Sequence, residues 1–111
     1  MESQFSYCRA IRVGNYICVS GTAPITAEGI TYSPGNAYAQ ARYCLEKIQK
    51  ALQNVVRTRM YVTDISRSAE YGKAHQEFFG EHPPTATMVE IRALVNLEML
   101  IEIDVEAICD F

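Results

Sequence analysis

The sequence predicts an α+β domain in which a mixed β-sheet carries two helices on one face. Three observations predict it. Two stretches, 36–51 and 67–79, repeat apolar residues at helical spacing. A Gly14-Asn15 pair separates two β-prone runs, which is a two-residue hairpin signal. The run Ile101-Glu102-Ile103-Asp104-Val105-Glu106 alternates between apolar and acidic residues, so one strand face is apolar and the other is all carboxylate.

The elements follow in order. Residues 8–13 alternate imperfectly and form the first strand, and Tyr16-Ile17-Cys18-Val19-Ser20 returns as the second. Gly21-Thr22-Ala23-Pro24 ends it, and residues 29–32 can add a short third strand before Pro34-Gly35. Asn36 is a plausible N-cap, followed by Ala37, Ala41, Cys44, Leu45, Ile48 and Leu52 on one helical stripe reaching about Ala51. Residues 55–63 are rich in β-branched side chains, with Val56, Thr58, Met60 and Val62 on one face and Arg57, Arg59, Tyr61 and Thr63 on the other. A second helix over 67–79 is expected to stop at Gly80, ahead of the stiff His82-Pro83-Pro84. Residues 87–94 and 100–108 are two more strands. The order β-β-(β)-α-β-α-β-β is that of an α+β fold.

Composition limits the function classes. The chain has 111 residues, a length that suits one domain spanning 1–111. Hydrophobic residues make up 49%, which rules out a wholly disordered chain. No apolar run approaches the ~20 residues of a membrane span, and the start MESQFSYCRA has no apolar signal-peptide core. A net charge of −3 argues against a dedicated nucleic-acid binder. Cys8, Cys18, Cys44 and Cys109 include no C-x-x-C pair, so a reduced, cytoplasmic chain is expected, with Cys18 and Cys44 as small buried hydrophobes. His75 and His82 are too few and too separated to suggest a metal site. Neither a metal nor a cofactor is expected.

Glu102, Asp104 and Glu106 on one strand face admit two readings. They form a solvated sheet face, or something sits on them, because adjacent like charges repel. A partner subunit or a ligand is the second reading.

Several runs stand in a characteristic order: Tyr7 through Val13-Gly14-Asn15, Val19-Ser20-Gly21-Thr22, Tyr38-Ala39-Gln40-Ala41-Arg42, Val55-Val56-Arg57-Thr58-Arg59, Val62-Thr63-Asp64-Ile65, Glu77-Phe78-Phe79-Gly80 and Ile101-Glu102-Ile103-Asp104. As an ordered set they resemble the RidA (YjgF) family of reactive-intermediate deaminases over nearly the whole chain. The resemblance implies a chorismate-mutase-like α+β fold and a homotrimer with a central barrel and a small-molecule cleft at each subunit boundary. It also implies hydrolysis of enamines and imines to ammonia and a 2-keto acid. That chemistry needs a cation to hold the substrate carboxylate, a placed water and a proton donor. By the same resemblance Tyr7, Gly21 and Asp104 match the family's Tyr, Gly and last-strand Glu, the last with a shorter side chain.

The chain departs from the family pattern where it matters most. The family's Pro-Ala-Arg-Ser appears as Pro84-Thr85-Ala86-Thr87, so Ala86 stands at the Arg position. Met88 replaces a nearby Cys and Gly72 a helix Asn, and only Gln53-Asn54 separate the first helix from the following strand, fewer residues than the family has. Losing a buried ion-paired contact costs ~2–5 kcal/mol, roughly thirty- to several-thousand-fold in rate. Arg9, Arg57, Arg59 and Arg92 are candidate replacements. Arg59 is either a ligand cation or the partner of a neighbouring-strand acid such as Glu90 or Glu102. His75 is a candidate general acid or a surface residue. Glu90 shares the parity of Ala86 and Met88. A cleft holding Glu90 and Asp104 without the Arg favours a neutral or cationic ligand. Three functions compete: a C=N hydrolase with Tyr7, Asp104 and Glu90 as catalytic residues; a non-catalytic trimer binding a metabolite through Gly21, Arg59, Ala86, Met88 and His75; and an endoribonuclease or translation inhibitor, which the absence of a basic stripe disfavours.

Overall fold

The computed structural model describes residues 10–51 and 54–108. Strands β1 (Ala10–Val13) and β2 (Tyr16–Thr22) form the expected hairpin, with Val13 opposite Tyr16. Gly14 takes φ 60° and Asn15 stays negative, the II′ pattern whose twist matches the flanking strands. The short strand expected at 29–32 is absent. Only a single bridge joins Ile25 to Thr31. The loop is held by side chains instead: Lys47 Nζ donates to the Ala23 and Ile25 carbonyls at 2.9 and 2.6 Å, and Tyr32 stacks on Tyr43 with centroids 4.3 Å apart.

Helix α1 (Ala37–Ala51) begins where the sequence places it, with Asn36 Oδ1 accepting from the Ala39 N–H at 2.9 Å. Its stripe Ala37, Ala41, Cys44, Leu45 and Ile48 is buried. Leu52, and Gln53 of the short Gln53-Asn54 connection, lie outside the described residues. Strand β3 (Val55–Val62) follows, then a 3₁₀ turn over Ile65–Arg67, capped by Asp64, and helix α2 (Ser68–Phe79). Gly80 ends α2 with φ −59°, not in the left-handed region the sequence suggests. The chain instead leaves the helix ahead of Pro83 and Pro84, which lack the N–H groups to continue it. Strand β4 (Thr85–Glu90) is displaced from the expected 87–94 because its one partner among the described residues is β3, whose ladder ends at the Val62–Glu90 pair.

Strand β5 (Ile101–Ile108) lies in the middle of a five-stranded sheet of order β1-β2-β5-β3-β4. All pairs are antiparallel except β3–β4, and α2 supplies the crossover that a parallel pair requires. Both helices cover one face. Ile101, Ile103, Val105 and Ala107 of β5, with Met60 and Val62 of β3, pack there against the α1 stripe and against Tyr71 and Ala74 of α2. One β3 expectation fails. A register shift between Val55 and Arg57 turns Val56 outward, 43% exposed, and puts Val55 against the core. A bulge of this kind adds a residue and flips parity on one side of it.

One buried polar side chain ties the helix layer to the loops. Gln40 is fully buried. Its Nε2 donates to the Ser33 and Glu98 carbonyls at 3.3 and 3.0 Å, and its Oε1 accepts from the Leu100 N–H at 2.7 Å. Gln40→Ala would remove the partners of the Leu100 N–H and the Glu98 carbonyl, while the Ser33 carbonyl keeps the Asn36 N–H at 3.1 Å, and should lower stability by about 2–4 kcal/mol. Urea unfolding at unchanged slope measures this. A loss near zero would mean that water replaces all three bonds.

Candidate functional site

The two faces of the sheet carry different chemistry. On the open face, β3 and β5 bring Arg59 opposite Asp104, Arg57 opposite Glu106 and Tyr61 opposite Glu102. Arg59 Nε donates to Asp104 Oδ1 at 2.8 Å and its Nη2 to Glu106 Oε1 at 3.1 Å. Tyr61 donates its hydroxyl to Asp104 Oδ2 at 2.8 Å, so both Asp104 oxygens are engaged. Arg57 adds a longer contact to Glu106, 3.8 Å. The hydrogen bond to Asp104, and then its charge, raises the Arg59 pKa further, so this guanidinium stays charged. The hydrogen bond from Tyr61 to Asp104, helped by burial, keeps that phenol protonated. The acids expected to pair with Arg59, Glu90 and Glu102, are thus not its partners. Residues two apart on β5 fall within reach of one guanidinium, and this gives the pairing to Asp104 and Glu106.

Glu102 is the exception on this face. Its side chain folds over Gly21, where a Cβ would overlap the carboxylate. A side chain at Gly21 would therefore have to displace the end of the Glu102 side chain. Burial, then the Asp104 charge, raises the Glu102 pKa, and no cation among the described residues offsets them. Cys18 lies half-buried opposite Glu106, whereas Cys44 is buried in the core, its thiol pushed up to about 12 by burial and therefore unreactive.

The helix-side face of β4 holds the other predicted residues. Ala86 pairs with Thr58, Met88 with Met60 and Glu90 with Val62, all of core parity. Glu90 Oε1 accepts from the Ile65 N–H at 2.9 Å, which places it at the start of the 3₁₀ turn. His75 on α2 is half-buried, and its Nε2 lies 2.8 Å from Thr58 Oγ1, with the Phe79 ring 4.8 Å away. Burial lowers its pKa, so the imidazole is neutral near pH 7. A cavity of about 330 Å³ opens beside it, lined by Gly72, His75, Gln76, Phe79, Gly80 and Pro83.

Within one chain, therefore, Gly21, Arg59 and Asp104 share one sheet face, and Ala86, Met88, Glu90 and His75 share the other. Tyr7 lies outside the described residues. Thr58 and Tyr61 complete the two groups and were not singled out from sequence. The available signal was Thr58 itself, a hydroxyl at a core-facing position between apolar neighbours. Among the described residues no group of three His, Cys, Asp or Glu side chains could hold a metal ion, and no helix is long and apolar enough to cross a membrane.

Comparison with known proteins gives a consistent picture. The family model described as Endoribonuclease L-PSP matches residues 1–109. A RutC family protein of Pyrococcus abyssi is 32% identical over 105 residues, covering 88% of this chain and 82% of the relative. The crystal structure of Rv2704 from Mycobacterium tuberculosis, described as a member of the YjgF/YER057c/UK114 family, superposes with a TM-score of 0.82 at 39% identity, covering 96% of this chain and 90% of that one. The YjgF gene product of E. coli superposes with a TM-score of 0.79 at 27% identity, covering 92% and 87%.

The electrostatics of the open face give a prediction. A carboxyl whose folded pKa is raised binds protons more tightly when folded, so its contribution to stability falls as pH rises. Glu102→Gln should raise Tm at pH 7, with the gain fading as pH falls from the raised folded pKa toward the ordinary Glu value, ~4.3, and absent below it. Thermal melts of both proteins across that range measure it. Equal Tm values at pH 7 would mean that Glu102 is an ordinary solvated carboxylate.

Proposed function

The chain belongs to the endoribonuclease L-PSP (YjgF/RidA) family, and from that premise we propose that it forms a homotrimer binding a small metabolite in the clefts between subunits. The observation that carries this reading is the division of the candidate residues between two sheet faces. Asp104 with Gly21 faces one way and Ala86 with Met88 and His75 the other, so a single chain cannot close a site from both groups. A second copy can, by laying the open face of one sheet against the β4 edge of its neighbour.

Asp104 is the residue we assign to orienting water or accepting a proton, because Arg59 and Tyr61 hold its carboxylate in place through one oxygen each. Arg59 is thereby occupied, and releasing it to clamp a ligand carboxylate would leave Asp104 with the Tyr61 hydroxyl and no cation, and Glu106 with only the 3.8 Å contact to Arg57. Glu90 serves the 3₁₀ turn. Hydrolysis of 2-imino acids is accordingly slow, since Ala86 offers nothing to hold the substrate carboxylate. The RNA-cleaving reading is not favoured, because Arg57 and Arg59 are matched by acids on the next strand.

Ammonia release from freshly generated 2-iminopropanoate tests this directly. The wild-type rate should fall at least roughly thirtyfold below that of an Arg-bearing relative, and Ala86→Arg should recover much of the difference. Wild-type turnover equal to the relative's would overturn the slow-hydrolysis reading. A monomer in sedimentation would overturn the shared cleft.

A further inference from the structure

The Thr58–His75 pair carries an inference beyond family membership. Thr58 is fully buried and its hydroxyl has one partner among the described residues, His75 Nε2 at 2.8 Å. If Nε2 carried the ring proton, the Thr58 hydroxyl hydrogen would be buried without an acceptor, which is costly. The hydroxyl therefore donates to Nε2, and the neutral ring carries its proton on Nδ1. Nδ1 has no partner among the described residues, and His75 lines the 330 Å³ cavity. The cavity is of ligand size at the small end. Gly72 leaves it open, since a Cβ there would meet nothing within 4 Å. Phe79 supplies a flat apolar wall, and among the described residues no Lys or Arg lines the cavity.

We propose that this cavity is a subsite for a small uncharged carbonyl compound, an amide or ketone, whose oxygen accepts a hydrogen bond from His75 Nδ1–H while its plane rests on Phe79. A carboxylate is disfavoured because burying it against a single neutral donor leaves its charge uncompensated. The register supports placing this in the metabolite cleft, because Thr58 is the direct ladder partner of Ala86. Burial of the imidazole supports its neutrality near pH 7. The proposal thus rests on the metabolite-binding reading and names the ligand class.

The test uses pyruvamide and pyruvate, which match in shape and differ in charge, titrated into the full chain at pH 7.5 while the nitrogen resonances of the His75 ring are followed. The expected result is an Nδ1–H tautomer, a His75 shift with pyruvamide, and affinity for pyruvamide about tenfold or more above that for pyruvate. Thr58→Val, which keeps volume but releases the ring, and His75→Phe, which keeps the ring but removes the donor, should each weaken pyruvamide by about tenfold. An Nε2–H tautomer in the unaltered protein, which needs no variant to fold, overturns the proposal. Pyruvate binding as tightly as pyruvamide overturns the ligand class and leaves the metabolite-binding reading standing. Binding of neither compound overturns the ligand class too, and with a monomer in sedimentation it overturns both.

Discussion

The Arg59 guanidinium, shared between Asp104 and Glu106, is the contact on which the open face depends. Strand β5 sits at the centre of the sheet, so its alternation fixes both layers at once. Its apolar set Ile101, Ile103 and Val105 must face the helices. The same periodicity forces Glu102, Asp104 and Glu106 onto the other side. Three carboxylates at two-residue spacing would push the strand apart, and the β3 arginines answer the lower two. Among the described residues no cation answers Glu102, whose carboxylate lies over Gly21.

That balance orders the rest of the site. Holding Asp104 through both of its oxygens fixes a carboxylate on a strand rather than on a mobile loop, where geometry is best kept. On the helix side, polarity is neutral: the buried Thr58 hydroxyl is satisfied by His75 Nε2, and neither needs a counter-ion. One face of the sheet is thus ionic and paired, the other neutral and hydrogen-bonded. A ligand meeting both would find a charged acid on one wall and an uncharged donor on the other.

Much of this was legible in the sequence because it follows from period alone. The β5 alternation, the Gly14-Asn15 hairpin and the Asn36 cap are local patterns, and each appears where its residues stand. What the sequence hid depends on partners far along the chain. The bulge at Val55–Arg57 is set by the fit of β3 to β5, and no residue of β3 announces it. Gln40 reads as an ordinary helix position until the Ser33 and Glu98 carbonyls and the Leu100 N–H converge on it. The partners of Arg59 were misassigned for the same reason, since parity gives the face but not the reach across a twisted ladder. His75 was visible as a candidate, while Thr58, its anchor, was concealed by a strand of β-branched residues in which a threonine is unexceptional.

The strand order also shapes how the chain must fold. β5 follows every other strand in sequence and yet lies between β2 and β3. Until it arrives, the β1–β2 hairpin and the β3–α2–β4 unit share no sheet hydrogen bonds. Each exposes an apolar face and an open strand edge, the surfaces through which chains aggregate. During synthesis the nascent chain therefore carries two unjoined halves. They become one sheet only when β5 has left the ribosome, and its insertion is a step dominated by contacts distant in sequence, which are slow to form.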